Sequence, residues 1–268
     1  MASTDALHDP VDAANCELPA ASASHAAHRG SLARTGVALL RGVVPSALIG
    51  IALECAEQRY RWIEAVIAAH GHAELQRRLP PAQRYLQTVS SFSLSMLACG
   101  DAFDELVDGF AGAEIRRLIE AALDGPVVTL AEQGWVRRQY APANAPARHT
   151  PHAWHQDGAL GFDFIGYCGG AFPPAAPRPL ATCWFPLVRC GIDAPGLEWV
   201  ARRLPGLLPV AELHDERVRA RYAPKAFRRP ALAPGDALVI CGDVLHRTHV
   251  TAGMHADRTS IELRFVRA

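Results

Sequence analysis

Apolar positions recur at helical spacing through the first half of the chain and in short strand-like runs through the second half. After Pro45, the residues Leu48, Ile49, Ile51, Leu53, Cys55, Tyr60, Ile63, Val66 and Ile67 trace one long amphipathic helix that Gly71 can stop. Its expected task is to cover a sheet. A second helix is predicted from Asp101, a good N-cap, to Leu123, with Phe103, Leu106, Val107, Phe110, Ile115, Leu118 and Ile119 as its buried stripe and Gly125-Pro126 as its end. Around these helices lie a β-type run at 35–42, a break in regular structure at 77–84 that contains Pro80-Pro81, and a short apolar segment at 90–99. Beyond Pro126 strands are predicted at 127–130, 135–140, 182–188, 208–211, 237–241, 244–250 and 260–266, separated by loops rich in Pro and Gly. No internal repeat is present. Helices followed by many short strands predict a mainly β protein with a helical buttress, built as an antiparallel barrel or sandwich. Residues 1–30, rich in Ala, Ser, His and Asp without a period, are expected to form a loosely ordered leader. The remainder is expected to be one domain, 31–268, with helical support over 31–125 and the β core over 126–268.

Composition narrows the function classes. Lys+Arg and Asp+Glu number 27 each, so no global field draws the chain to nucleic acid or to an anionic membrane. Half of the residues are apolar, enough for a sizeable core, yet no apolar run reaches membrane-spanning length. The seven cysteines (16, 55, 99, 168, 183, 190 and 241) are odd in number and lack any C-x-x-C spacing, which argues against a disulfide framework or a structural zinc site. Met1 to Pro10 has neither a basic nor an apolar signal region, and a cytoplasmic location is the expectation.

The candidate chemistry lies in the second half. In Trp154-His155-Gln156-Asp157-Gly158, an extended backbone would put His155 and Asp157 on one face and Gln156 on the other. One imidazole and one carboxylate on a shared face make two-thirds of the 2-His-1-carboxylate triad that holds non-haem Fe(II). The third ligand is expected downstream. There Pro234-Gly235-Asp236 launches an apolar strand, Gly242-Asp243 turns it, and His246 opens the next one. His249 and His255 also precede Arg258. His246 and His249 fall on opposite faces of an extended strand, and spacing to Arg258 favours His246, while His255 fits a turn. On the last strand Arg258 and Ser260 share one face, and Thr259, Ile261, Leu263 and Phe265 share the other. His149 and His152 read as members of a flexible, solvated loop, with one of them a candidate to reach substrate. The basic bias of 201–230 reads as a solvated insertion or, alternatively, as a receiver for an anionic or carrier-bound substrate.

His155-x-Asp157, the distant His246 and then Arg258 form an ordered set that resembles the Fe(II)/2-oxoglutarate-dependent oxygenases, in particular their phytanoyl-CoA dioxygenase-like branch. The resemblance runs over roughly residues 30–268 by motif order and spacing. It implies a double-stranded β-helix, the cupin-like jelly-roll, with Fe(II) held by His155, Asp157 and His246. It further implies 2-oxoglutarate as cosubstrate, its distal carboxylate gripped by Arg258 with Ser260 as a helper, and O2 as co-reactant. Thr182-Cys183-Trp184-Phe185-Pro186-Leu187 resembles the strand after the H-x-D loop, with Trp184 in the cosubstrate pocket. The run 135–140 resembles the strand before it, with Gln139 near cosubstrate or substrate. Ala194-Pro195-Gly196-Leu197-Glu198 resembles the family's Asn-Gly-x-Leu turn, with Pro in place of Asn. Related halogenases carry a small residue where Asp157 stands, so Asp157 points to hydroxylation of a small molecule. Desaturation, cyclisation or epoxidation with the same cofactors, or a non-catalytic cupin-like binding protein, are the alternatives.

Overall fold

The computed structural model describes residues 24–79, 93–95, 101–130, 133–145, 149–159 and 179–268. Within them, ten strands form two antiparallel sheets. The larger sheet joins β1 (Val37–Leu40), β2 (Ser93–Ser95), β3 (Val127–Thr129), β4 (Trp135–Gln139), β5 (Leu180–Pro186), β8 (Ala237–Cys241) and β10 (Arg258–Arg267). Its order is β1-β8-β5-β10-β4-β2, with β3 pairing β10. The smaller sheet runs β7 (Phe227–Arg228), β6 (Gly196–Arg203), β9 (Val244–His249). Two antiparallel sheets of this kind, with helices against one of them, agree with the expected jelly-roll core and helical buttress.

Six helices accompany the sheets among the described residues: α1 (His25–Thr35), α2 (Ser46–His70), α3 (His72–Arg78), α4 (Asp101–Phe110), α5 (Ala113–Leu123) and α6 (Asp215–Arg221). Helix α2 spans the predicted length, from Pro45 as its N-cap to Gly71 as its C-cap. It lies on the larger sheet, where the Tyr60 hydroxyl donates to the Val136 carbonyl at 3.1 Å and Arg138 of β4 reaches Glu57 at 2.5 Å. The odd-numbered face of β10, with Ile261, Leu263 and Phe265, is buried on this helical side. Next to it Phe185, paired with Ile261, meets Phe110 of α4 edge to face at 5.1 Å. The even-numbered face of β10 is left to line the interior between the sheets.

Several expectations need correction. Helix α1 takes in His25 to Gly30, which were assigned to the leader; Ser24 caps it, and residues 1–23 lie outside the described residues. The second predicted helix is two, α4 and α5, parted at Ala111-Gly112, where the Gly112 backbone is extended. Glycines at 109 and 112 weaken a continuous helix, and a Cβ on Gly109 would lie 2.7 Å from Leu48, so that glycine also lets α4 approach α2. Asp101 is the first residue of α4 rather than a cap before it. Arg77 and Arg78, at the start of the expected break over 77–84, belong to α3 and pair with Glu74; residues 80–84, and most of the apolar segment at 90–99, lie outside the described residues.

The stretch 208–211 is no strand. Pro209, which lacks an N–H, caps a single 3-10 turn at Val210–Glu212. Conversely, Gly196 and Leu197, read as a turn, open strand β6, and the supposed insertion after residue 201 contains α6 and β7. Strand β6 escaped notice because a charged Glu198 stands in its centre, fully buried.

Candidate metal centre

His155, Asp157 and His246 converge at the junction of the two sheets, and their ligand atoms all lie within 4.8 Å of one another. The backbone accounts for the convergence. His155 and His246 form an isolated antiparallel bridge, with reciprocal N–H to carbonyl bonds of 2.9 and 3.0 Å. The expected extended run does not continue to Asp157, which instead starts a 3-10 turn, Asp157–Ala159. Gly158 donates to the Gly242 carbonyl at 2.8 Å, which ties that turn to the one joining β8 and β9. Gln156, left without a role by the sequence, faces away and is fully buried. Its amide donates to the Asp243 and Gly206 carbonyls at 3.0 and 3.2 Å and its oxygen accepts from Leu208 N at 2.7 Å. It therefore anchors the H-x-D segment to two flanking loops.

The donor set suits a divalent transition metal. The Nδ1 atoms of His155 and His246 face the carbonyls of Ala153 (2.7 Å) and Val244 (3.0 Å), which fixes Nδ1 as the protonated nitrogen and leaves Nε2 as the free donor. Asp157 Oδ1 lies 3.6 Å from His155 Nε2 and 3.9 Å from His246 Nε2. Burial, and then the neighbouring His246, lower the His155 pKa to about 4, so the ring is neutral near pH 7 as a ligand must be. Burial opposes ionisation of Asp157, but the Arg264 guanidinium, the two histidines and the Thr182 hydroxyl outweigh it and hold the carboxyl well below the usual range. The competing histidines are elsewhere. His249 is three residues along β9, on the face opposite His246, and His255 is exposed beyond the strand.

The inner wall is formed by residues paired across the strands. Arg258 lies opposite Gln139, Glu262 opposite Trp184, and Arg264 opposite Thr182. Arg258 is buried, with its guanidinium 5.1 Å from the Trp184 ring centroid and Nη1 donating to the Gly196 carbonyl at 3.1 Å. It forms no ion pair with a carboxylate among the described residues, Glu262 acting on it only at longer range. Arg258 Nε, Ser260 Oγ and Trp184 Nε1 are all buried without a hydrogen-bond partner there. Buried polar atoms are rarely left unpaired, and these three, one of them within the Arg258 guanidinium itself, fit a bound carboxylate. The structure thus brings Arg258, Ser260, Trp184 and Gln139 onto the same wall as the triad. Gln139 donates to the Tyr140 carbonyl at 3.3 Å and pairs with His149.

His152 is not the solvated loop residue expected. It forms an edge contact with His155, and its Nε2 lies 3.0 Å from Arg137 Nη1. The adjacent Arg137 charge, with burial, drives its pKa well down. Sequence reasoning also missed Glu262 and Arg264, although the period-2 rule that joined Arg258 to Ser260 reaches both.

No family profile matches the chain. A curated protein, the tRNA 5-methylaminomethyl-2-thiouridine biosynthesis bifunctional protein MnmC of Pseudomonas fluorescens (strain Pf0-1), is 31% identical over 126 residues, or 38% of this chain and 18% of that protein. The chain spans less than a fifth of that relative's length. Solved structures align far more fully. AviO1 from Streptomyces viridochromogenes Tue57 superposes with a TM-score of 0.58 and 20% identity, over 91% of this chain and 95% of that one. EctD from S. alaskensis, solved with 2-oxoglutarate and 5-hydroxyectoine, gives 0.62 and 13% over 93% and 77%. The non-haem α-ketoglutarate-dependent epimerase SnoN from nogalamycin biosynthesis gives 0.56 and 15% over 91% and 83%.

The chain shares the fold of these structures, with a jelly-roll core. Within that fold His155, Asp157 and His246 bring two imidazoles and one carboxylate together, a donor set that could hold a metal ion.

Proposed function

We propose that this chain is an Fe(II)/2-oxoglutarate-dependent dioxygenase of the phytanoyl-CoA dioxygenase-like type that hydroxylates an unactivated carbon of a small-molecule metabolite. The observation that carries this reading is the pairing of the His155, Asp157, His246 triad with one buried guanidinium, Arg258, that has no carboxylate of its own.

His155 and His246 hold their Nε2 atoms toward the metal because each Nδ1 is occupied by a backbone carbonyl. Asp157 would supply the third protein ligand. Arg258 receives the distal carboxylate of 2-oxoglutarate, the Ser260 hydroxyl and the Trp184 N–H stand beside it, and Gln139 supports the same end of the wall. Iron, when bound, would let O2 oxidise 2-oxoglutarate to succinate and CO2 with one of its oxygen atoms and convert a C–H bond of the substrate to C–OH with the other. The substrate is read as a small molecule of a cytoplasmic pathway; among the described residues no helix is long and apolar enough to cross a membrane. Of the seven arginines of 201–230, Arg202 and Arg228 pair with no carboxylate among the described residues and are the ones open to an anionic or carrier-bound substrate. Arg203, Arg217, Arg219, Arg221 and Arg229 all pair with carboxylates of the chain itself.

The test is release of succinate from 2-oxoglutarate by purified protein with Fe(II) in air, measured with and without candidate substrates. Turnover that depends on Fe(II) is expected. Absence of succinate above the metal-free control under every condition would instead favour a non-catalytic binding protein.

A further inference from the structure

Arg264 sits on the same face of β10 as Arg258, yet its surroundings are the reverse. All three of its nitrogens face an oxygen. Nη1 donates to the Gln133 carbonyl at 3.1 Å, Nη2 lies 3.3 Å from Glu262 Oε2, and Nε lies 3.4 Å from Asp157 Oδ2 as a charge contact rather than a directed hydrogen bond. Glu262 is held in turn, its Oε1 2.7 Å from Arg137 Nε, and Arg137 Nη1 reaches His152. The contacts of this guanidinium are thus with groups of the chain itself. What it can do is hold Asp157. The Thr182 hydroxyl, projecting from the residue paired with Arg264 across the sheet, donates to the same Oδ2. Asp157 Oδ2 is thus claimed from two sides, and Oδ1 alone is turned toward the two histidine Nε2 atoms.

We infer that Arg264 is a positioning residue: with Thr182 it holds the outer oxygen of Asp157 away from the metal, so that the carboxylate donates through one oxygen only and two adjacent positions stay free for a keto-acid. This rests on the iron and 2-oxoglutarate reading above. The geometry favours it over a purely structural role, because an arginine needed only to neutralise Glu262 would have no reason to point its third nitrogen at a ligand carboxylate. A carboxylate released from this grip can rotate and present both oxygens to the metal. It would then occupy one of the positions that the cosubstrate needs while leaving metal affinity nearly unchanged.

The experiment is an anaerobic titration of the full chain, first with Fe(II) by calorimetry and then with 2-oxoglutarate, following the charge-transfer absorption of the iron and keto-acid chelate. In Arg264→Gln the Kd for 2-oxoglutarate should rise about ten-fold or more, about 1.4 kcal/mol, while the Kd for Fe(II) stays within about three-fold, under 1 kcal/mol. Arg264→Lys, which keeps the charge without the fork, should recover part of the loss. Thr182→Val removes the other arm and should raise the 2-oxoglutarate Kd by about three-fold, the loss of one hydrogen bond; it decides the matter if Arg264→Gln does not fold. An unchanged 2-oxoglutarate Kd in a folded variant overturns the inference. So does an equal rise in both constants, which would make Arg264 a general support of the fold. If the wild-type chain itself forms no chelate, it is the functional reading that fails, and the two failures are distinct.

Discussion

Two buried glutamates gather arginines on opposite sides of the candidate metal centre, and they differ in where their contacts end. Glu262 faces the interior, and its partners Arg137 and Arg264 lead to His152 and to Asp157. Glu198, fully buried on β6, is paired with Arg247 across to β9, on the face opposite Trp199 and His246. It receives Arg219, Arg229 and Arg247 at 3.2, 2.6 and 2.7 Å. That set continues to Asp215 of α6, which also accepts from the Trp154 indole at 2.8 Å. Trp154 and Arg247 are the immediate chain neighbours of His155 and His246. The outer set therefore steadies the two backbones that carry the imidazoles, whereas the inner set touches a ligand side chain directly. Similar charge chemistry serves assembly in one place and ligand geometry in the other. The distinction turns on whether the last group in the chain of contacts is backbone support or a metal donor.

The largest effects should separate the two sides. His246→Ala or His155→Ala is expected to abolish Fe(II) binding and succinate formation with little change in the melting of the metal-free protein. Glu198→Ala should do the opposite. Three arginines left facing a lost carboxylate cost about 3 kcal/mol or more of stability, seen in denaturant unfolding, with Fe(II) still bound by the folded fraction. A Glu198 variant that keeps its stability but loses iron would erase the distinction.

Arg258→Ala tests the inner wall at an intermediate scale. Loss of a charge-assisted contact worth about 2 kcal/mol raises the 2-oxoglutarate requirement by about 30-fold. Iron affinity should be kept, since Arg258 touches no ligand, and an unchanged 2-oxoglutarate requirement would remove it from the cosubstrate site.

The smallest effect concerns acid. Burial, with Arg229 nearby, lowers the His249 pKa from 6.5 to about 4 on the outer side, so the unfolded chain takes up that proton first. Stability should then be intact above about pH 6.5 and fall as the pH drops toward 4. In His249→Gln the fall over that window should be shallower, although His155, whose pKa is also lowered to about 4, keeps its own share in the metal-free protein. Iron should still bind, because His249 faces away from the triad. Denaturation midpoints against pH compare the two chains, and identical slopes would discard the role given to His249.

Much of the site was legible before folding because period-2 alternation is a local rule. It placed Arg258 with Ser260 and separated His246 from His249 without any knowledge of partners. The same rule reached Glu262 and Arg264, but a charged residue on an inward face looks like an error until its counter-charge is known. Glu262 finds Arg137 more than a hundred residues away in sequence, and Arg264 finds Asp157 at similar range. Strand β6 was hidden for the same reason, since Glu198 at its centre belongs inside only once Arg219, Arg229 and Arg247 surround it.

Local chemistry was thus enough to specify helix α2 between Pro45 and Gly71, the β8 to β9 turn, the alternation of β10 and the order of the candidate metal ligands. Backbone dihedral preferences, caps and side-chain period act over a few residues and need no partner. Folding in three dimensions settled which oxygen of Asp157 faces the histidines, which buried arginine is left uncompensated, and what holds Gln156. Those outcomes depend on electrostatic and hydrogen-bond pairing between segments far apart in the chain, and low-dielectric burial gives that pairing its strength only after the sheets have closed around it.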